Sequence, residues 1–234
     1  MQNHTITLQE AILQRHSVRS YSQRPIPAHV VASLRQAVLK ANAESGLHIQ
    51  LVTDEPKAFR GRMAYGVFHG VSNYLAMVGP AAPDLEQRIG YYGERLVLTA
   101  KQLGLDSCWV GLTYNNVPGA FQVFPGEKRC CLVALGYGSA PGRNVKHKSV
   151  EQVSNASAST PDWFRQAVQS ALLAPTAVNQ QKFRFLYLGL NADGLPRVKA
   201  QRTFSLMGYT RMDLGIVRLH FEIGAGDNKF VWED

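Results

Sequence analysis

The chain has 234 residues, 45% of them hydrophobic, and 25 lysines and arginines against 17 acidic residues give a formal net charge of +8. That content supports a sizeable core in one large or two small domains, and no apolar run approaches the ~20 residues a membrane helix requires. The basic residues are dispersed, without a block, a zinc-finger spacing or an RNA-binding aromatic motif, so the charge points to a small phosphate-bearing molecule rather than nucleic acid.

The first residues lack the charged-then-apolar layout of a signal peptide. Cys108, Cys130 and Cys131 are an odd number with no metal-ligand spacing, and the last two adjoin an apolar run as packed strand thiols do in a reducing compartment. The expectation is a soluble cytoplasmic protein with neither a membrane nor a nucleic-acid partner.

In chain order, Thr7 and Glu10 form a capping box for a helix with Leu8, Ile12 and Leu13 on one face, running into Arg15, His16, Ser17, Val18 and Arg19. Two arginines flanking a serine can fork onto phosphate oxygens, with the hydroxyl adding a bond; an ordinary exposed arginine pair has the same spacing. Pro27 opens a second helix, where a missing amide proton is harmless. Its buried stripe is Val30, Leu34, Val38 and Ala41, Gly46 ends it, and residues 48–52 alternate as a strand. Tyr74 to Val78 is a strand stopped by Gly79 and Pro80. The longest helix follows, with Ile89, Tyr92, Leu96, Ala100 and Leu103 on its apolar face and Gly104 as its left-handed end. Leu105 to Val110 leads to Gly111, where a ligand could approach the main chain closely. Residues 129–136 read as a buried strand. The loop after it carries Arg143, Lys146 and Lys148, either a phosphate clamp or a solvated basic loop.

A small-residue linker, 155–160, precedes a recurrence of the first unit. At one constant offset, without a gap, Pro27 falls on Pro161, Ala37 on Ala171, Ile49 on Phe183 and Leu51 on Phe185. That is a diverged internal repeat. In the second copy Pro175 stops the helix, a polar run of Thr176, Ala177, Val178, Asn179, Gln180 and Gln181 follows, and residues 182–187 resume as a strand. The first copy has Ala41, Asn42, Ser45 and Leu47 where the second has Pro175, Thr176, Asn179 and Gln181. Amide side chains offer donors and acceptors from one group, which suits the edge of a planar heterocycle; a plain polar loop is the alternative. Residues 204–223 read as a final helix with Leu206, Leu214, Val217 and Phe221 among its apolar members. In it Met207, Gly208 and Tyr209 echo Ile89, Gly90 and Tyr91, and Asp213 is a capping or core-pairing residue without a catalytic role. Residues 229–232 make a last strand. No hydrolytic, metal or nucleotide-loop motif is present, so the side chains bind and any hard chemistry belongs to a cofactor.

Three of these elements resemble one family. Arg15-His16-Ser17-Val18-Arg19 is similar to the Arg-x-Ser-x-Arg signature of the FMN-dependent nitroreductases. Pro175-Thr176-x-x-Asn179-x-Gln181 resembles their Pro-Ser-x-x-Asn-x-Gln loop, and the segment ending in Trp109-Val110-Gly111 resembles their Leu-Gly-Leu-Gly-x-x-Trp-Ile-Gly element. Gly136-Tyr137-Gly138, the basic residues after it and Glu151 match the family's closing loop. The amide loop sits late in this chain, as in the subclass whose single chain mimics the family's homodimer. The resemblance implies an α+β nitroreductase fold with an internal duplication, residues 1–154 and a shorter 155–234 forming one compact unit. It implies a monomeric pseudo-dimer with one bound FMN, the pairing of whole chains being left open.

It further implies an oxidoreductase in which NAD(P)H gives hydride to flavin N5 and a nitroaromatic, quinone or similar small acceptor takes it, with no catalytic side chain and no metal. Arg15 and Ser17, beside His16, hold phosphate and ribityl, and Arg19 meets the N1–C2 carbonyl edge, where a cation stabilises negative charge. Pro175, Thr176, Ala177, Asn179 and Gln181 come from the other half, Trp109, Val110 and Gly111 lie near N5 and O4, and Arg143, Lys146 or Lys148 completes the phosphate site. A non-catalytic flavin carrier or sensor on the same scaffold is the competing reading. The family's loop ends in Pro-Trp where this chain has Lys182-Phe183.

Overall fold

Thr7 and Glu10 exchange side-chain and backbone hydrogen bonds as the expected capping box, and α1 (Leu8–Gln14) follows. The computed structural model describes residues 5–60, 68–140 and 145–233. α2 (Ala28–Ser45) starts after Pro27, buries Val30, Leu34, Val38 and Ala41 as the spacing predicts, and ends on Gly46 at φ 67°, where any side chain would be strained. β1 (Gln50–Val52) is shorter than the alternation predicts. The Asn42 amide takes both backbone groups of Ile49, at 2.9 Å each, and so keeps that residue on the helix end instead of in the ladder.

β2 (Asn73–Pro80) pairs antiparallel with β1 and with β4 (Glu127–Gly136), which pairs in turn with β3 (Asp106–Val110), giving the order β1-β2-β4-β3. Alternate side chains of β2 serve two cores. Leu75 and Met77 join the helices, while Tyr74, Ala76 and Val78 pack with Phe59 and Phe68. α3 (Leu85–Gln102) buries Ile89, Leu96 and Ala100, and Gly104 adopts the left-handed conformation its position calls for.

After the short α4 (Val150–Val153), α5 (Asp162–Leu172) again opens behind a proline. Pro27 and Pro161 have nearly the same backbone angles, −59°/146° and −60°/145°. β5 (Phe183–Leu190) pairs antiparallel with β6 (Pro196–Arg202), and β7 (Val231–Glu233) lies parallel to β6. The order helix, two antiparallel strands, helix thus occurs twice, as α2-β1-β2-α3 and as α5-β5-β6-α6. β6 has no counterpart in the sequence reading, because its basic and amide side chains hide the strand alternation.

The last helix also departs from expectation. α6 spans Thr210–Ala225, and Phe204, Leu206 and Met207 are exposed, Leu206 by 91%. Gly208 and Tyr209 are both left-handed, which breaks any helix before Thr210. The sequence echo of Gly90 in Gly208 fails for the same reason; the glycine facing Gly90 across the helix pair is Gly215. A Cβ on Gly90 would lie 2.0 Å from the Met212 carbonyl oxygen, and one on Gly215 2.0 Å from that of Gln87. α3 and α6 therefore touch backbone to backbone. α5 covers another side of α6, and the main core runs from Leu34 and Ile89 to Phe164, Phe185 and Phe221, the last two stacked at 4.6 Å. Among the described residues no helix is long and apolar enough to cross a membrane.

Candidate functional site

Residues 15–19 leave α1 and run beside β3, where Ser17 bridges Ser107 and the Val18 amide donates to the Ser107 carbonyl at 3.0 Å. Val18 is buried and Arg19 exposed, the alternation of an extended segment. Among the described residues the Arg19 guanidinium has no hydrogen-bond or carboxylate partner. Cys108 lies beneath this run. Burial pushes its thiol up, opposed by the Arg19 charge, a Ser17 hydrogen bond and the Arg15 charge. His16 is exposed.

Arg15 points the other way. Its side chain is only 10% exposed, with Nε 3.8 Å from a Glu94 carboxylate oxygen and Nη2 donating to the Leu173 carbonyl at 3.3 Å. Nε itself is buried without a hydrogen-bond partner. Burial lowers the pKa of the guanidinium, and the attraction of Glu94 opposes it.

The loop after α5 contains three left-handed non-glycine residues, Val178, Asn179 and Gln181, at φ 46°, 55° and 46°. Such backbone is strained and persists only where its surroundings enforce it. Here the enforcing bonds are visible. The Thr176 hydroxyl accepts from the Gln181 amide at 3.1 Å. Asn179 Nδ2 and Gln181 Nε2 both donate to the Lys146 carbonyl, at 2.8 and 3.2 Å, and Gln181 Oε1 accepts from the Lys148 amide at 2.9 Å. Lys148 Nζ donates to the Gln181 carbonyl at 2.5 Å, and burial, helped by Lys182, lowers its pKa. The expected amide loop and the expected basic residues are thus brought together, but through backbone groups. The Lys148 ammonium is turned onto carbonyls, Lys146 is exposed, and Arg143 lies outside the described residues.

Two residues that the sequence reading left out of the site hold this loop to α6. Asp213 is buried, and its carboxylate accepts from the Ala177 amide at 3.0 Å and from Gln180 Nε2 at 2.7 Å. Burial pushes its pKa up to about 6 against those two bonds. Gln180 also donates to the Gly208 carbonyl and accepts from Ser205. The available signal for Asp213 was a lone carboxylate amid Met212, Leu214, Ile216 and Val217. At the end of β3 Val110 is buried, Trp109 donates its indole proton to Glu94 at 2.8 Å, and Gly111 is half-buried. A Cβ there would lie 2.6 Å from the Tyr209 hydroxyl, so a tyrosine occupies the close approach expected of a ligand. Pro175 is half-buried at the mouth of the loop.

A family model described as "Putative TM nitroreductase" matches residues 7–225. The chain belongs to the nitroreductase family. Among solved structures, this family member is similar to a putative nitroreductase from Thermotoga maritima, at 20% identity over 94% of this chain and 84% of that one, with a TM-score of 0.65. A putative nitroreductase from Desulfovibrio desulfuricans, solved in complex with FMN, is 18% identical, with a TM-score of 0.50 over 63% of this chain and 95% of its own. At these identities the likeness is one of fold, the mixed α+β nitroreductase architecture that the sequence led one to expect. No curated protein matches the chain.

Proposed function

We propose that this nitroreductase-family protein is a cytoplasmic FMN-dependent oxidoreductase that passes hydride from NAD(P)H to a small acceptor such as a nitroaromatic or a quinone. The observation that supports the reading is a chain of pairwise links: Ser17 bridges Ser107 on β3, Arg15 donates to Leu173 ahead of the strained 175–181 loop, and Asn179 and Gln181 of that loop hold Lys146. The donor chemistry fits FMN: a guanidinium at Arg19 without a partner among the described residues, a hydroxyl at Ser17 and an exposed ammonium at Lys146. Ser17, Arg19 and Lys146 would take the phosphate and the polar edge of the ring, with Arg15 anchoring the run from inside. Thr176, Ala177, Asn179 and Gln181 shape the facing wall. Bound FMN would supply the redox chemistry at N5, and the protein's part is to orient it and to keep water away.

The same reading makes the chain a single-chain pseudo-dimer of two unequal halves, 1–154 and 155–234, with one flavin. Its support is the twice-occurring helix-strand-strand-helix order and the matched prolines. A second observation favours the carrier alternative, since Tyr209 fills the close approach to Gly111, where the N5 edge that hydride transfer needs was expected to lie.

The test is titration with FMN followed by anaerobic NADH or NADPH. The enzyme reading expects stoichiometric binding and bleaching of the visible flavin band; binding without bleaching supports the carrier, and no binding defeats both. Arg19→Ala is expected to weaken FMN binding by roughly tenfold to a hundredfold, the loss of one charge-assisted contact.

A further inference from the structure

We propose that Glu94 is a positioning residue that braces both halves of the flavin site, a role that rests on the flavin reading above. Glu94 stands in the middle of α3 with no solvent exposure. A carboxylate in such a place is tolerated only when its partners satisfy it. One oxygen accepts the Trp109 indole proton at 2.8 Å, and the other lies 3.0 Å from His220 Nε2 and 3.8 Å from Arg15 Nε.

The origins of those partners give the proposal its content. Arg15 opens the Arg-Ser-Arg run. Trp109 immediately precedes Val110 and Gly111. His220 is a fully buried residue of α6, and its other ring nitrogen lies 3.2 Å from the Ser170 carbonyl of α5. Arg15 meanwhile donates to Leu173, two residues before Pro175. One carboxylate therefore ties both first-half segments of the site to the two helices that carry the amide loop. The neighbouring Gly93 supplies an independent sign of design. A Cβ there would lie 2.6 Å from the tip of the Trp109 ring, so the helix surface is cut back to seat the indole that Glu94 then fixes. Glu94 does not touch the flavin. It sets the direction of Arg15, hence of Ser17 and Arg19, and of the strand end that leads into Gly111.

Glu94→Gln keeps the size of the side chain and an acceptor for Trp109, but removes the charge facing Arg15 and His220. It is expected to raise the Kd for FMN by roughly tenfold or more, as loss of one member of a buried charged network does, while far-UV circular dichroism of the apoprotein stays that of the parent. In a background already carrying Arg15→Gln, the same substitution is expected to change Kd little, because a residue acting through Arg15 has nothing left to act on. Purely structural damage would add in both backgrounds. Parent-like affinity in Glu94→Gln, or equal losses in the two backgrounds, overturns the proposal. Should Glu94→Gln fail to fold, Trp109→Phe, which deletes a single donor, carries the test. A loss of roughly threefold is expected from one hydrogen bond, and unchanged Kd overturns the bracing role. The parent protein is titrated first. If it binds no FMN, the flavin reading and this proposal fall together; if it binds and the variants match it, only the bracing fails.

Discussion

The connection from helix to first strand is built twice in this molecule, in opposite ways. In the first half α2 continues to Ser45, turns on Gly46, and tucks Leu47 and Ile49 into the core, with Asn42 bonding only its own turn. In the second half Pro175 stops α5 early, and three left-handed side-chain-bearing residues make the turn. There the polar groups reach outward, to Lys146, Lys148, Ser205, Gly208 and Asp213. The first version turns on a glycine and is also bonded from outside, by Arg88 at the Ser45 carbonyl and by Glu127 at His48; the second turns on strained residues held by their neighbours. Backbone strain of this kind persists only where its surroundings enforce it, and of the two helix-to-strand connections only the second carries it, the left-handed Asp54 of the first copy lying beyond β1.

The comparison can be broken most severely where the halves meet. Gly215→Val would drive a side chain into the Gln87 backbone and is expected to cost about 3 kcal/mol of stability, measured by urea unfolding, because neither helix can yield locally. Next in size is a pH effect that the second connection carries through Asp213. The folded state raises the Asp213 pKa from 3.8 to about 6 and so binds that proton more tightly than the unfolded chain does. Its contribution is fully present below pH ~4 and is lost as pH rises to ~6, on the order of 3 kcal/mol in all. Subtracting the pH profile of Asp213→Asn from that of the parent should show a fall in this window; parallel profiles would remove the buried carboxylate from the account.

The smallest effects come from a reciprocal pair. Gly46→Ala is expected to lower stability by about 1 kcal/mol, since φ 67° disfavours a side chain. Val178→Gly should raise it by about 0.5 kcal/mol, because Val178 is 73% exposed and loses little but its strain. Thermal midpoints moving in opposite directions would sharpen the contrast between the two connections, and midpoints falling together would blur it.

Local signals carried much of the fold. The Thr7–Glu10 box, Pro27, Gly46 and the Ile89–Leu96–Ala100 stripe each specify their element through neighbours a few residues away. The start of α6 was illegible because Phe204, Leu206 and Met207 are apolar yet exposed, so composition extended the helix through a break made by backbone angles. The candidate site divides along the same line. Its motif residues could be read as a pattern, whereas Glu94 and His220 meet only after α3 and α6 have packed. The inward turn of Arg15 follows from their meeting and from nothing within its own motif. Asp213 was visible as a charge in an apolar run, but its partners Ala177 and Gln180 were not.

The amides of Asn179 and Gln181 already grip the Lys146 carbonyl in the protein by itself. A molecule entering from that side meets a wall whose freedom was surrendered during folding, so its affinity is not drained by immobilising those side chains. On the flavin reading, recognition on that flank would work like a rigid mould, with discrimination among entrants falling to shape rather than to loop closure.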